Sequence, residues 1–164
     1  MSLSLRTLNG EYNGLGEKIA FIRGCYHKSL TDLRLRRFAE QTAGKGSRYQ
    51  QAGNLFQAIR QVMVYTPDPV GVEYTKSPSK MMDDIEARGK AYGDCDDFAC
   101  LSRTLLMLIG IPAKLRVIWK GTGAMPRHIF TVASIDGQDV AFDTAARTMP
   151  MGEETSYTRK VDFQ

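Results

Sequence analysis

The hydrophobic period of this chain changes once, and the change falls at Gly110 and Pro112. Upstream, apolar residues recur at helical spacing; downstream they sit in short β-branched and aromatic runs. Helices first and strands after point to an α+β domain, not to alternating strand-helix units. The clearest helix starts at Asp94, a natural N-cap with Asp97 three residues on, and carries the stripe Phe98, Leu101, Leu105, Leu108 and Ile109. Ahead of it, helical spacing is read in Ile19, Phe21 and Ile22, in Leu30, Leu33 and Phe38 after the cap candidate Ser29, and in Leu55, Phe56, Ile59 and Val62. Tyr65-Thr66-Pro67-Asp68-Pro69 stops that third helix. Residues 70–78 read as extended or irregular, and 79–86 as a short helix. Strands are expected at 114–119, 128–134 and 139–142, with Asp136-Gly137 as the hairpin turn between the last two.

A 164-residue chain with 43% hydrophobic content can close one core without staples. The polar segment 1–16, with Asn9-Gly10 and Asn13-Gly14, is expected to be a flexible arm, and 17–164 a single domain with its catalytic core over about 50–148. Cys25, Cys95 and Cys100 make an odd number with no disulfide framework, which suits free thiols in a reducing compartment. No apolar run reaches the roughly 18 residues that span a bilayer, and no secretory leader is visible, so a cytoplasmic location without membrane association is expected. The net charge of +4 is scattered; its densest group, Arg34, Arg36 and Arg37, lacks a nucleic-acid motif and reads as a solvated helix face.

Cys95 stands where the clearest helix begins. Unpaired N–H groups in a first helical turn favour a thiolate, the form that attacks a carbonyl carbon. Asp94, Asp96 and Asp97 act in the opposite direction, unless Asp94 and Asp97 turn back onto the helix as a cap. His128 opens a strand, sharing a face with Phe130 and Val132, and Asp143 ends the next strand, so a hairpin sets the two side by side. Cysteine, histidine and aspartate in that order supply a nucleophile, a general base and an orienting carboxylate.

Tyr92-Gly93-Asp94-Cys95-Asp96-Asp97-Phe98-Ala99, the helix exit Ile109-Gly110-Ile111-Pro112-Ala113, His128 and Asp143 resemble the transglutaminase-like superfamily, of papain-like architecture. Tyr65 to Pro69, Val72-Glu73-Tyr74 and Ser77-Pro78 resemble the lead-in of its phage and prophage branch. The resemblance implies a cysteine-bearing helix on a small antiparallel sheet, with Cys95 as nucleophile, His128 as base then acid, and Asp143 as orienting group. It implies hydrolysis or transamidation of a protein or peptide amide, without a cofactor. It also implies an upstream side chain that helps hold the oxyanion; Tyr65, Tyr74 and Tyr92 are all candidates.

A second function class is a structural or assembly protein, in a phage particle or virion-associated, that keeps the fold for binding. A third is an adaptor acting through Arg34, Arg36 and Arg37. No metal site is expected: the acids Asp83, Asp84, Asp94, Asp96 and Asp97 lack the calcium-loop pattern, and Cys25 with His27 lacks a paired zinc spacing. Cys25 and Cys100 are expected as covered thiols without partners. Lys120, Gly121-Thr122-Gly123 and Met125-Pro126 form a bend before His128 that can cover a cleft or touch substrate. The oligomeric state is left open by the sequence.

Overall fold

The computed structural model describes residues 14–164, so the expected arm lies outside the described residues except for its last three positions. Five helices are described: α1 (Leu15–Ser29), α2 (Leu33–Ala43), α3 (Arg48–Val62), α4 (Pro78–Arg88) and α5 (Cys95–Leu108). Strands β1 (Met63–Tyr65) and β2 (Ala91–Gly93) form a parallel pair. Strands β3 (Ala113–Trp119), β4 (His128–Ile135), β5 (Gln138–Phe142) and β6 (Arg159–Phe163) form an antiparallel sheet in the order β5-β4-β3-β6. The fold is α+β, with the switch of period where the sequence puts it.

Local signals start and stop these elements. Ser47 and Gln50 exchange a capping box at α3, Ser77 caps α4 with Pro78 at its first position, and Gly89 ends α4 in the left-handed region. Ser29 does not cap the second helix: it belongs to α1, its hydroxyl donates to the Cys25 carbonyl at 2.7 Å, and Asp32 caps α2 instead.

The core lies around α5, which is buried on almost every side. One face of the large sheet, with Leu115, Val117, Ile129, Ala133 and Phe142, packs into the same core as α5, Leu55, Phe56 and Ile59. The other face gathers Ile118, Phe130, Val132 and Ala141 under Tyr157. The register along β4 is pinned from the helix side, where the Thr131 hydroxyl donates to the Ala99 carbonyl at 2.9 Å. At the exit of α5, Arg103 Nε donates to the Ala113 carbonyl at 3.1 Å and ties the helix to the start of β3.

Strand β6 is an exposed edge held by charge. The Arg116 side chain is only 3% exposed, donates to both carboxylate oxygens of Asp162 at 2.7 and 2.8 Å, and pairs with Glu154. Removing that guanidinium leaves Asp162 still paired with Lys114 and Glu154 only partly buried, so the cost falls below the roughly 3–5 kcal/mol of a fully buried broken pair. Arg116→Met is expected to cost about 2 kcal/mol in urea unfolding and to speed amide exchange in β6 more than in β4.

Candidate active site

Residues 66–77 lead from β1 to α4, and β2 then delivers the chain into α5. The parallel pairing places Tyr65 opposite Gly93, and Thr66 donates to the Gly93 carbonyl at 2.8 Å. At the helix start, the Asp94 side chain accepts from Asp96 N at 3.1 Å and also from the Asp97 backbone, while Asp97 Oδ2 accepts from Asp94 N at 3.2 Å, so Asp94 and Asp97 form a reciprocal capping box. Asp97 Oδ1 also accepts from Lys76 N at 2.6 Å. A Cβ at position 93 would lie 2.6 Å from Asp97 Cγ, so only glycine fits there.

Cys95 is half-buried at the first helical position. Its sulfur is 3.7 Å from Asp96 Oδ1 and close to the backbone N–H of Ile129. Burial pushes the thiol well up from its ordinary range, and the charges of Asp96 and Asp94 add to this; the Ile129 N–H and Lys18 oppose it. These surroundings favour the neutral thiol over the thiolate. Among the described residues its side-chain hydrogen bond goes to Asp96 and not to His128.

His128 and Asp143 are brought together. Thr131 pairs with Phe142 at the end of the β4–β5 ladder, which leaves Asp143 just past it and His128 two residues beyond Phe130. His128 Nε2 and Asp143 Oδ2 are 2.7 Å apart, the aspartate is buried, and the imidazole stacks on Phe130 at 5.7 Å between centroids. With Nε2 donating to this carboxylate, the neutral ring keeps Nδ1 free to accept a proton. The segment after Asp143 is fixed as well. Asp143 Oδ1 accepts from Ala146 N at 3.2 Å, and the Arg60 guanidinium donates to the carbonyls of Asp143, Ala146 and Met149 while stacking on Phe56.

The three tyrosines separate. Tyr65 packs obliquely on Phe98 with centroids 6.2 Å apart, and its hydroxyl is pushed up by burial and then by the nearby Cys95. Tyr74 is occupied at its backbone, where its N–H donates to Asp68 Oδ2 at 2.7 Å. Tyr92 is exposed, its carbonyl accepts from Lys76 Nζ, and the Arg88 guanidinium lies 6.0 Å from its ring.

Lys18 is a site residue that the sequence does not mark. From α1 it pairs with Asp96 and, at 2.6 Å, with Glu73, so the first helix and the 66–77 loop meet at the cysteine turn. In an amphipathic stretch that also holds Glu17 and Arg23, nothing local distinguishes it. The acids weighed as a metal cluster divide: Asp83 binds Arg34, and Asp84 binds Lys80 and Arg88. Asp94, Cys95 and Asp96 do offer atoms within 4.8 Å of one another, but a protein cation, Lys18, already pairs with Asp96. Arg34 is taken up by Asp32, Asp83 and Glu86, which makes it a strut between α2 and α4. Cys25 and Cys100 are buried as expected, but they are not isolated: the Cys100 thiol has Cys25 as its hydrogen-bonding neighbour.

Burial raises the cap carboxyls, Asp94 to about 7 and Asp97 to about 8. Each holds in the fold a proton that the unfolded chain releases near pH 4. The stability they contribute is complete below that value and is lost as pH climbs through about 7 and about 8. Asp32, held down to about 2 by Arg34, and Asp162, held down by Arg116, lose theirs only on acidification. Thermal midpoints are expected to peak near pH 4 and fall until about pH 8, and Asp94→Asn should flatten the part of that fall that ends near pH 7.

No curated protein matches the chain. Among solved structures, a candidate protease from Parabacteroides distasonis superposes with a TM-score of 0.61 at 17% identity, over 76% of this chain and 25% of that one. A candidate cysteine protease from Cytophaga hutchinsonii gives 0.52 at 22% identity, over 87% of this chain and 47% of that one. The chain thus spans less than half the length of either, and at these identities the likeness is one of fold. The family model of the transglutaminase-like superfamily matches residues 36–140, from α2 through β5, a stretch that contains Cys95 and His128 and stops three residues short of Asp143. By that match the chain belongs to the transglutaminase-like superfamily.

Proposed function

We propose that the protein transfers the acyl group of a peptide or isopeptide amide through Cys95, with His128 and Asp143 completing the site. The observation that carries this reading is the 2.7 Å pairing of His128 Nε2 with buried Asp143, on the strand whose next N–H meets the Cys95 sulfur. His128 Nδ1 takes the thiol proton as the sulfur attacks the amide carbon; the C–N bond breaks as Nδ1 returns that proton to the departing nitrogen, leaving a thioester and a free amine. Water or a second amine then releases the acyl group. In this scheme Tyr65, the tyrosine electrostatically coupled to Cys95, and the Cys95 backbone N–H receive the oxyanion. Because burial and the neighbouring acids favour the neutral thiol, His128 takes its proton during the attack. Residues 17–164 act as one unit in this scheme, since α1 reaches the cysteine turn through Lys18.

The hydrogen bond from the sulfur to Asp96, and the acids around it, favour a second reading. Here the fold serves binding or assembly, in a phage particle or elsewhere, with an inert thiol. A peptidyl chloroacetamide followed by site mapping separates the two. Because Cys25 and Cys100 are buried, the proper comparator is glutathione in the same solution. Labelling of Cys95 at least tenfold faster than glutathione, lost in His128→Ala, is the enzyme's result; a rate at or below glutathione that is indifferent to His128 is the binding protein's. No described helix is long and apolar enough to cross a membrane.

A further inference from the structure

The sheet face that carries His128 is electrically divided. At one end, Lys114 and Arg116 are neutralised by Asp139, Asp162 and Glu154. At the other end lies an open hollow of about 270 Å³ lined by Ile118, Lys120, Arg127, His128, Ala146 and Thr155. Lys160 is paired across from Ile118 and leaves the same face, with its ammonium 5.5 Å from the Tyr157 ring. Among the described residues, none of Lys120, Arg127 and Lys160 has an acidic partner. The cysteine side of the site has the opposite character, with Asp68, Glu73, Asp94 and Asp96 near the thiol or its Lys18 partner. A substrate crossing from the sulfur to the imidazole therefore passes from an acidic to a basic environment.

We infer that this hollow receives a carboxylate carried by the leaving-amine part of the substrate. The inference rests on the acyl-transfer reading, in which His128 hands its proton to the departing nitrogen. Whatever fills a hollow walled by His128 is then attached to that nitrogen within a few bonds. The lining suits the ligand: Lys120 and Arg127 supply charge at the rim, Thr155 supplies a hydroxyl, and Ile118 and Ala146 form an apolar floor that excludes water from beneath the anion. The carboxylate can be the side chain of an acidic residue just beyond the scissile bond, or the α-carboxylate of a short departing peptide.

Departing-amine mimics test this directly. The full chain, labelled with nitrogen-15, is titrated with Glu-Ala-amide, Gln-Ala-amide and Ala-Ala bearing a free carboxyl terminus. Two added charge contacts correspond to about tenfold in affinity for one of the carboxylate peptides over the neutral one. The shifts are expected in the amides of Ile118, Lys120, Arg127, His128 and Thr155, and the preference is expected to vanish in Lys120→Ala/Arg127→Ala, whose spectrum shows whether it has folded. Preference for Glu-Ala-amide names a side chain as the source, and preference for Ala-Ala names the chain end. Equal affinity for all three peptides, no saturation up to the solubility limit, or an undiminished preference in the double variant overturns the inference. Alkylation of Cys95 in the parent protein is read alongside: a reactive Cys95 with no carboxylate preference sinks the subsite alone, whereas a carboxylate preference beside an inert Cys95 sinks the acyl-transfer reading alone.

Discussion

His128→Ala is expected to slow cleavage of an amide substrate by about 10,000-fold while leaving the melting temperature within a few degrees of the parent. In the proposed acyl transfer the imidazole does two jobs. It removes a proton from a thiol whose pKa burial and Asp96 hold high, and it protonates an amine that leaves poorly as an anion. The second job is selective, and this gives the prediction its discriminating form. A nitrophenyl ester carries a leaving group that needs no proton, so its acylation rate should fall by far less, roughly 100-fold, through the loss of thiol deprotonation alone. Equal losses for amide and ester would show that His128 is not the acid, and no loss for either would remove it from the site. Asp143→Asn keeps a hydrogen bond to the ring but not the charge, and should fall between parent and His128→Ala on the amide.

Gly93→Ala is expected to cost about 3 kcal/mol, roughly 6–12 °C in melting temperature for a chain of this size. The added methyl would meet not only the end of the Asp97 side chain but also its Cβ at 2.5 Å, which the helix backbone fixes. Asp97 would have to swing away, breaking the capping box and its bond from Lys76 N. Calorimetry gives the stability, and the alkylation rate of Cys95 shows whether the displaced helix start takes the sulfur out of place. A melting temperature unchanged within 2 °C would mean that the turn relaxes at no cost, against the packing described here.

The parts of this fold that were legible in the sequence are those specified by neighbours along the chain. Asp94 and Asp97 announce the start of α5 because a capping box needs only four consecutive residues. Asp136 and Gly137 announce the β4–β5 hairpin because both take positive φ, 51° and 77°, which few residue pairs tolerate. That hairpin is what places His128 beside Asp143, so this pairing was readable at the same level. Strands β1 and β2 were not. Each has three residues, Met63 continues the helical period of α3, and the parallel partner lies 28 residues away. Strand β6 was also missed: Arg159, Lys160 and Asp162 resemble a solvated tail, and only the distant strand β3, through Lys114, Arg116 and Trp119, makes them an edge. Lys18 belongs to the same class, since its meaning lies in Asp96 and Glu73, 78 and 55 positions further on.

The near-complete enclosure of α5 has an evolutionary reading. A cysteine mounted on a helix that is walled in by four other helices and a sheet cannot drift to suit a new partner, because any shift disturbs packing on several sides at once. Diversification is left to residues 120–126, which are exposed apart from Pro126 and contribute nothing to the principal core. A library randomised there should keep its melting temperature while its cleavage preferences scatter, which makes that one bend the economical place to redirect the protein.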